Sequence, residues 1–143
     1  MHLQRKANNL MMLVAANPET PPSVIEQLAR EEDPELLEHL AENPNSPISV
    51  LNQLSGHRSS NIRQGVATNR NTPLEILQLL TLDADPDVRY TVASNPHVPP
   101  PILESLLQDE NPYVAGRAGL TLSRLQAAFE QVRSLTFKVA SAS

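Results

Sequence analysis

The 143-residue chain has no cysteine and no tryptophan, and only two phenylalanines and two tyrosines. Without cysteine there can be no disulfide, zinc–cysteine site, iron–sulfur cluster or thiol nucleophile. With aromatics at 3%, any core must be built from Leu, Ile, Val and Ala. The chain also lacks the periodic aromatics on which an RNA-reading repeat stacks bases. Glycine occurs four times, at Gly56, Gly65, Gly116 and Gly119, so there is no Gly-rich phosphate loop. Positive charge is in deficit, with 11 Lys and Arg against 16 Asp and Glu and a formal charge of −5. That balance argues against binding a nucleic-acid backbone or an anionic membrane, both of which call for clustered cations. No apolar run approaches the length of a membrane-spanning helix.

What is present is enough for one domain with a real core: 40% hydrophobic residues over 143 positions. The densest apolar run, Leu10 to Ala16, follows Arg5 and Lys6 and faintly resembles a secretory leader. It is short for one, and Leu10, Val14, Ala15 and Asn17 fall in register with a repeat. The segment is therefore read as the first repeat helix.

The repeat has a period of 26. Asn17, Asn43, Asn69 and Asn95 are spaced by 26, and all but Asn69 precede proline. Asp33-Pro34, Asp85-Pro86 and Asn111-Pro112 keep the same step, with Ser59-Ser60 in the vacant slot. Pro21, Pro47, Pro73 and Pro99 form a third series. Three independent markers holding one period without insertion identify tandem repeats.

The apolar columns agree. Leu10, Leu36, Ile62, Val88 and Val114 form one column. Four positions on lie Val14, Leu40, Val66, Val92 and Ala118, and beside them Ala15, Ala41, Ala67, Ala93 and Gly119. Offsets of i, i+4 and i+5 share one helix face. In the second half of the unit Ile25, Leu51, Leu77 and Leu103 and then Leu28, Leu54, Leu80 and Leu106 make another helical stripe. Each unit is therefore two short helices.

Asp-Pro supplies an N-cap acceptor and a donor-free first residue for the first helix. Asn-Pro ends it, because a residue before proline avoids the α region. Thr20-Pro21, Ser46-Pro47 and Thr72-Pro73 are expected to open the second helix in the same way, and Thr72-Pro73-Leu74-Glu75 has the capping-box pattern. Helices this short are unstable alone and need their neighbours. After Asn111-Pro112 the pattern breaks: Thr121 stands in the asparagine column with no proline after it. A longer helix through Leu122, Leu125, Phe129, Val132 and Leu135 is expected to cap the core.

The predicted fold is all-α: an α-solenoid of 26-residue two-helix repeats, α/α or α/3₁₀, with a longer C-terminal capping helix. One domain covers residues 1–139, with units at about 7–32, 33–58, 59–84 and 85–110 and a terminal half-repeat and cap at 111–139. Residues 140–143 are expected to form a flexible tail.

The unit Asp85-Pro86-Asp87-Val88-Arg89, Val92-Ala93-Ser94-Asn95-Pro96, Pro99, Ile102-Leu103 and Leu106 resembles the leucine-rich repeat variant family over roughly residues 8–125. The resemblance implies a right-handed superhelix without strands in which one helix of each unit is 3₁₀. Ser59-Ser60 and Asn69-Arg70 depart from the pattern, which bears on the local cap and not on the fold. The Asp-Pro-x-Val-Arg start also resembles short HEAT-like repeats, whose units are usually longer and lack the Asn-Pro-x-x-Pro connector. The family brings no shared catalytic residues.

The asparagine ladder is read as structural, its amides satisfying loose backbone groups at helix ends. Arg63 and Arg89 share a column. They are either a short anion-binding pair or members of an i, i+4 Asp85–Arg89 contact with packed stems, and the second reading is preferred. Glu31, His57, Asp83 and Asp109 form a column of metal-capable types. Packed helices step by about 10 Å, whereas a metal needs its ligands at about 2 Å. These four are read as solvated helix-end charges.

No catalytic constellation emerges, and no catalytic, cofactor or metal residue is assigned. The outward rows of the first helices vary most and hold both tyrosines. The candidate protein-binding face is Glu38, His39, Gln64, Asp87, Tyr90, Tyr113 and Arg117, since tyrosine and arginine favour interfaces. The expected function is a non-catalytic cytoplasmic scaffold for protein–protein interaction. The expectation includes a protein partner, no cofactor, and neither nucleic acid nor membrane. The alternative is a HEAT-like subunit of an enzyme complex, such as a bilin-chromophore lyase component, which would show a deep pocket with convergent polar groups.

Overall fold

A computed structural model describes residues 1–142, with only the backbone of His2. The described residues form helices and turns with no strand. Four units pair a first helix with a shorter second one: α1 (His2–Ala16) with α2 (Pro22–Leu28), α3 (Pro34–Glu42) with α4 (Ile48–Ser55), α5 (Ser60–Thr68) with α6 (Leu74–Leu80), and α7 (Pro86–Ser94) with α8 (Pro100–Ser105). A long α9 (Pro112–Ser141) follows. The first helices stack in one row, α1 on α3, α3 on α5, α5 on α7 and α7 on α9, and the second helices line the other side. This is a helical-repeat solenoid. Each second helix is α rather than 3₁₀, which settles the alternative left open by the sequence.

The first helices start and stop where their sequence dictates. Asp33, Asp85 and Asn111 accept from backbone N–H groups two residues on, at 3.0, 2.9 and 2.9 Å. Proline occupies the next position in all three. Ser59 makes no such cap bond, in keeping with the departure at Ser59-Ser60. The second helices differ from expectation. Their N-caps are the prolines themselves, Pro21, Pro47, Pro73 and Pro99, and no side chain caps them. The capping box at Thr72 does not form. Its hydroxyl instead donates back to Val66 O at 2.6 Å, as Thr20 does to Val14 O and Ser46 to Leu40 O. The hydroxyl is thus used to close the connector onto the end of the first helix, whose last carbonyls lack intrahelical donors.

The asparagines do what helix-end asparagines can do, and more. Each Oδ1 accepts from the backbone N–H two residues on: Glu19, Asn45, Asn71 and His97. Each interior Nδ2 reaches one unit back. Asn43 donates to Ala15 O and Asn17 O at 2.7 and 2.9 Å, and Asn69 to Ala41 O and Asn43 O, both at 2.8 Å. Asn95 donates to Ala67 O at 2.8 Å, and Thr121 takes its place in the last step with a hydroxyl to Ala93 O at 2.6 Å. The ladder satisfies buried helix-end carbonyls and sets the register between units.

The core is the aliphatic layer between the two rows: Leu40, Val66 and Val92 from the first helices meet Leu51, Leu54, Leu80 and Leu103 from the second. Two end effects depart from the column pattern. Leu10 is 62% exposed although Leu36, Ile62, Val88 and Val114 in its column are buried. Those four lie on helices that follow another unit, whereas α1 is the first helix of the stack. At the other end α9 covers the core only as far as Leu122 and Leu125. From Gln126 onward it is exposed, so its second half projects rather than caps. Helix α9 runs on through Ser141, past the boundary drawn at 139; of the tail, Ser143 lies outside the described residues.

Candidate functional site

The face proposed from the sequence lies on the outer rows of α3, α5, α7 and α9. Tyr90 and Tyr113 are 40% and 79% exposed, Asp87 is exposed, and Glu38, His39, Gln64 and Arg117 are half-buried. The fold brings Tyr90 and Arg117 together. The Arg117 guanidinium carbon lies 5.8 Å from the Tyr90 ring centroid, within cation–π range. Its Nε donates to Ser94 Oγ at 3.0 Å, and Ser94 Oγ donates to Tyr90 O at 2.8 Å. One step along, Thr91 Oγ1 donates to Asp87 O at 2.8 Å and lies 3.3 Å from Gln64 Oε1. Glu38, His39 and Tyr113 make no side-chain hydrogen bond or ion pair among the described residues. They leave polar groups and a ring open to a partner. Sequence reasoning missed the exposure of Leu74, Leu79 and Leu82 on and just after α6. Its signal was present: Leu79 replaces the glutamines Gln27 and Gln53.

The two arginines are neither an open anion site nor partners of Asp85. Arg89 forks onto Asp109, Nε to Oδ2 at 2.8 Å and Nη2 to Oδ1 at 3.0 Å. Arg63 forks onto Asp83 at 2.7 and 2.9 Å. A remaining N–H of each donates to the carbonyl six residues earlier, His57 O and Asp83 O, at 2.8 Å. Asp83 and Asp109 are therefore not solvated charges; their side chains retain only 8% and 6% of their exposure. Each also orders the turn into the next unit, accepting from Asp85 N and Asn111 N at 2.9 Å. His57 does the same through Nδ1, accepting from Ser59 N at 3.0 Å. A planar guanidinium matches a carboxylate with two parallel bonds, which explains why aspartate stands opposite each arginine.

The Arg89 hydrogen bond, the Asn111 N–H and the Arg89 charge hold the Asp109 carboxyl below the ordinary range against the opposing effect of burial. At Asp83 burial pushes upward, but the hydrogen bonds of Arg63 and the Asp85 N–H, with the charges of Arg63 and Arg89, outweigh it. Hydrogen bonding to these aspartates raises both arginines despite burial, so both pairs are firmly charged.

No group of His, Asp and Glu among the described residues could hold a metal ion. No helix there is long and apolar enough to cross a membrane. A groove of about 460 Å³ runs between the segment after α7 and α9, lined by Pro96, Val98, Leu122, Leu125 and Phe129, with His97, Glu104 and Glu130 among its polar residues. Its lining is mainly apolar and includes neither Tyr90 nor Arg117.

No curated protein and no solved structure matches the chain. Residues 86–111, one full period from Pro86 to Asn111, match the family model described as leucine rich repeat variant, and the neighbouring units repeat the columns of that match at the same 26-residue step.

Proposed function

We propose that this solenoid is a non-catalytic scaffold that binds a protein partner across the outer rows of α5, α7 and α9, with Tyr90, Arg117 and Tyr113 as its anchors. The observation that carries the reading is the Tyr90–Arg117 stack, fixed in place by Ser94. An aromatic ring and a guanidinium already held in one conformation lose little entropy on binding, and both types dominate interface energetics. The match to a helical repeat family supports a protein-interaction role for the array.

The test is affinity capture of the full chain from its source cell, read by mass spectrometry. Discrete partners should be retained by wild type, lost with Tyr90→Ala combined with Tyr113→Ala, and kept by Gln78→Ala on the opposite side. Equal capture by the double variant and wild type would remove this face from consideration. A co-purifying pigment or metabolite would instead favour the enzyme-subunit alternative.

A further inference from the structure

Both ends of the stack leave a first-helix face uncovered among the described residues. At one end α1 exposes Leu10 and Leu13, the latter at 70%. At the other, α9 is exposed from Gln126 through Ser141, with Phe129, Leu135 and Phe137 on its surface. A third observation links the two ends. Asn43, Asn69 and Asn95 each turn their amide onto a carbonyl of the preceding unit. Asn17 orders its own turn in the same way, accepting from Glu19 N at 3.0 Å, but its Nδ2 donates to no described residue. A fourth lies in the sequence. Leu135-Thr136-Phe137-Lys138-Val139-Ala140-Ser141-Ala142 repeats the pattern of Val88-Arg89-Tyr90-Thr91-Val92-Ala93-Ser94-Asn95, the end of a first helix, outside the 26-residue register.

We propose that the C-terminal end of α9 from a second copy docks on α1 as the helix of a preceding unit, so that copies join end to end. Aligned on its Val-Ala-Ser signature, residues 127–141 of the second copy lie beside residues 2–16 of α1. In this register the Asn17 amide meets the carbonyls of Ala140 and Ala142, as the Asn43 amide meets those of Ala15 and Asn17.

Leu13 faces the small residues Ala140 and Ser141. Its column already makes that contact at interior steps: a Cβ at Gly65 would lie 2.8 Å from Ala41 Cβ, and Arg117 reaches Ser94. Leu135 and Val139 take the places of the buried Val88 and Val92. Glu130, which lies 3.7 Å from Arg133 on its own helix, comes level with Arg5. The occupant is therefore one whose hydrogen-bond acceptors and apolar column match the face, and this chain carries it. The contact is heterologous, with different surfaces on the two copies, and it leaves each copy able to bind another.

The test is sedimentation velocity of the full chain across a concentration series, with two variants at exposed positions. Wild type should gain mass with concentration. Leu13→Glu damages only the α1 face and Ala140→Glu only the α9 end, so each alone should stay monomeric. An equal mixture has one intact junction and should form a dimer and nothing larger. Asn17→Ala should weaken wild-type association about tenfold, the scale of one lost hydrogen bond. A wild type that stays monomeric overturns the proposal. So does a mixture that stays monomeric while both variants keep the wild-type circular dichroism. Association lost in Ala140→Glu but kept in Leu13→Glu would assign the contact to pairing of α9 with α9 instead.

Discussion

Arg89 and Asp109 stand twenty positions apart in the chain and meet in a two-pronged ion pair at 2.8 and 3.0 Å. The pair joins the start of α7 to the turn before α9, and Asp109 also holds the first N–H of that turn. It therefore ties three things together: the fourth unit, the connector and the terminal helix. The same arrangement one unit earlier joins Arg63 to Asp83.

The first prediction concerns acid. The folded Asp109 carboxyl titrates below its unfolded value, so its contribution to stability is present above about pH 3.9 and is lost as pH falls through the folded value. Asp109→Asn should cost about 1.5–3 kcal/mol at pH 7, the range for hydrogen bonds to charged groups. Its loss of stability below pH 4 should be shallower than that of wild type. Urea unfolding as a function of pH checks this; parallel curves for the two proteins would show that Asp109 is not coupled to the fold.

A second prediction separates the interior of the ladder from its free end. Asn69→Ala leaves the buried Ala41 carbonyl without its side-chain donor and removes a second bond from Asn43 O, which keeps the Ser46 N–H, and should cost about 1–3 kcal/mol. Asn17→Ala removes only a local turn contact and should cost under about 1 kcal/mol. Chemical denaturation of the two variants at a concentration where the chain is monomeric gives the comparison.

A third prediction tests the face assignment. Leu54 and Leu80 are fully buried, so either change to alanine should cost about 2–5 kcal/mol. Tyr90→Ala, on a partly exposed ring, should cost far less. Equal losses in thermal melts would mean that the outer row is misassigned.

The glycines supply a fourth. Gly116 has open space where a Cβ would stand, so Gly116→Ala should stabilise α9 by about 0.5–1 kcal/mol. Gly65 lets α5 approach α3 closely, and a Cβ there forces the helices apart. Gly65→Ala should therefore gain nothing, and the difference in melting temperature between the two variants reads the effect.

The fifth is a pair of deletions. Removing residues 59–84 takes out one whole period and leaves every remaining column in register, so the shortened chain should still unfold cooperatively. Removing residues 59–71 is a smaller cut but joins α4 to α6 and misplaces the stack by half a unit. It should be the more damaging one, because contacts in a solenoid run between adjacent units. Better tolerance of the 13-residue deletion in urea unfolding would contradict the repeat boundaries.

The period, the two helices of each unit and the core columns were legible in the sequence because each rests on a spacing repeated at least three times. The Arg–Asp forks were missed because partners were sought four residues away on the same helix, whereas the fold brings together residues twenty apart. The signal was available inside the chain: Arg63 and Arg89 share a 26-residue column with Met11 and Leu37, and the position twenty on is aspartate after each arginine but Glu31 or His57 after the other two. Leu10 was placed in the core because a column read by periodicity assumes a neighbour on both sides. The projecting half of α9 was read as a cap for a related reason. An apolar stripe such as Leu125, Phe129 and Val132 shows that a face wants cover, not whether the same molecule provides it. On the candidate face, the sequence placed Tyr90 and Arg117 in adjacent rows but could not reveal that Ser94 links them.

The ladder has a mechanical consequence. Every amide points one way along the array, so tension between the two ends would load its junctions in series, and the weakest junction yields first. Asn43 and Asn69 each grip two carbonyls of the unit behind them, while Asn95 and Thr121 each grip one. The forks Arg63–Asp83 and Arg89–Asp109 reinforce the steps into α7 and α9, where the ladder makes fewer bonds. Each unit released would lengthen the chain by up to about 3.3–3.6 Å per residue, an extension whose step size reads out the 26-residue period directly.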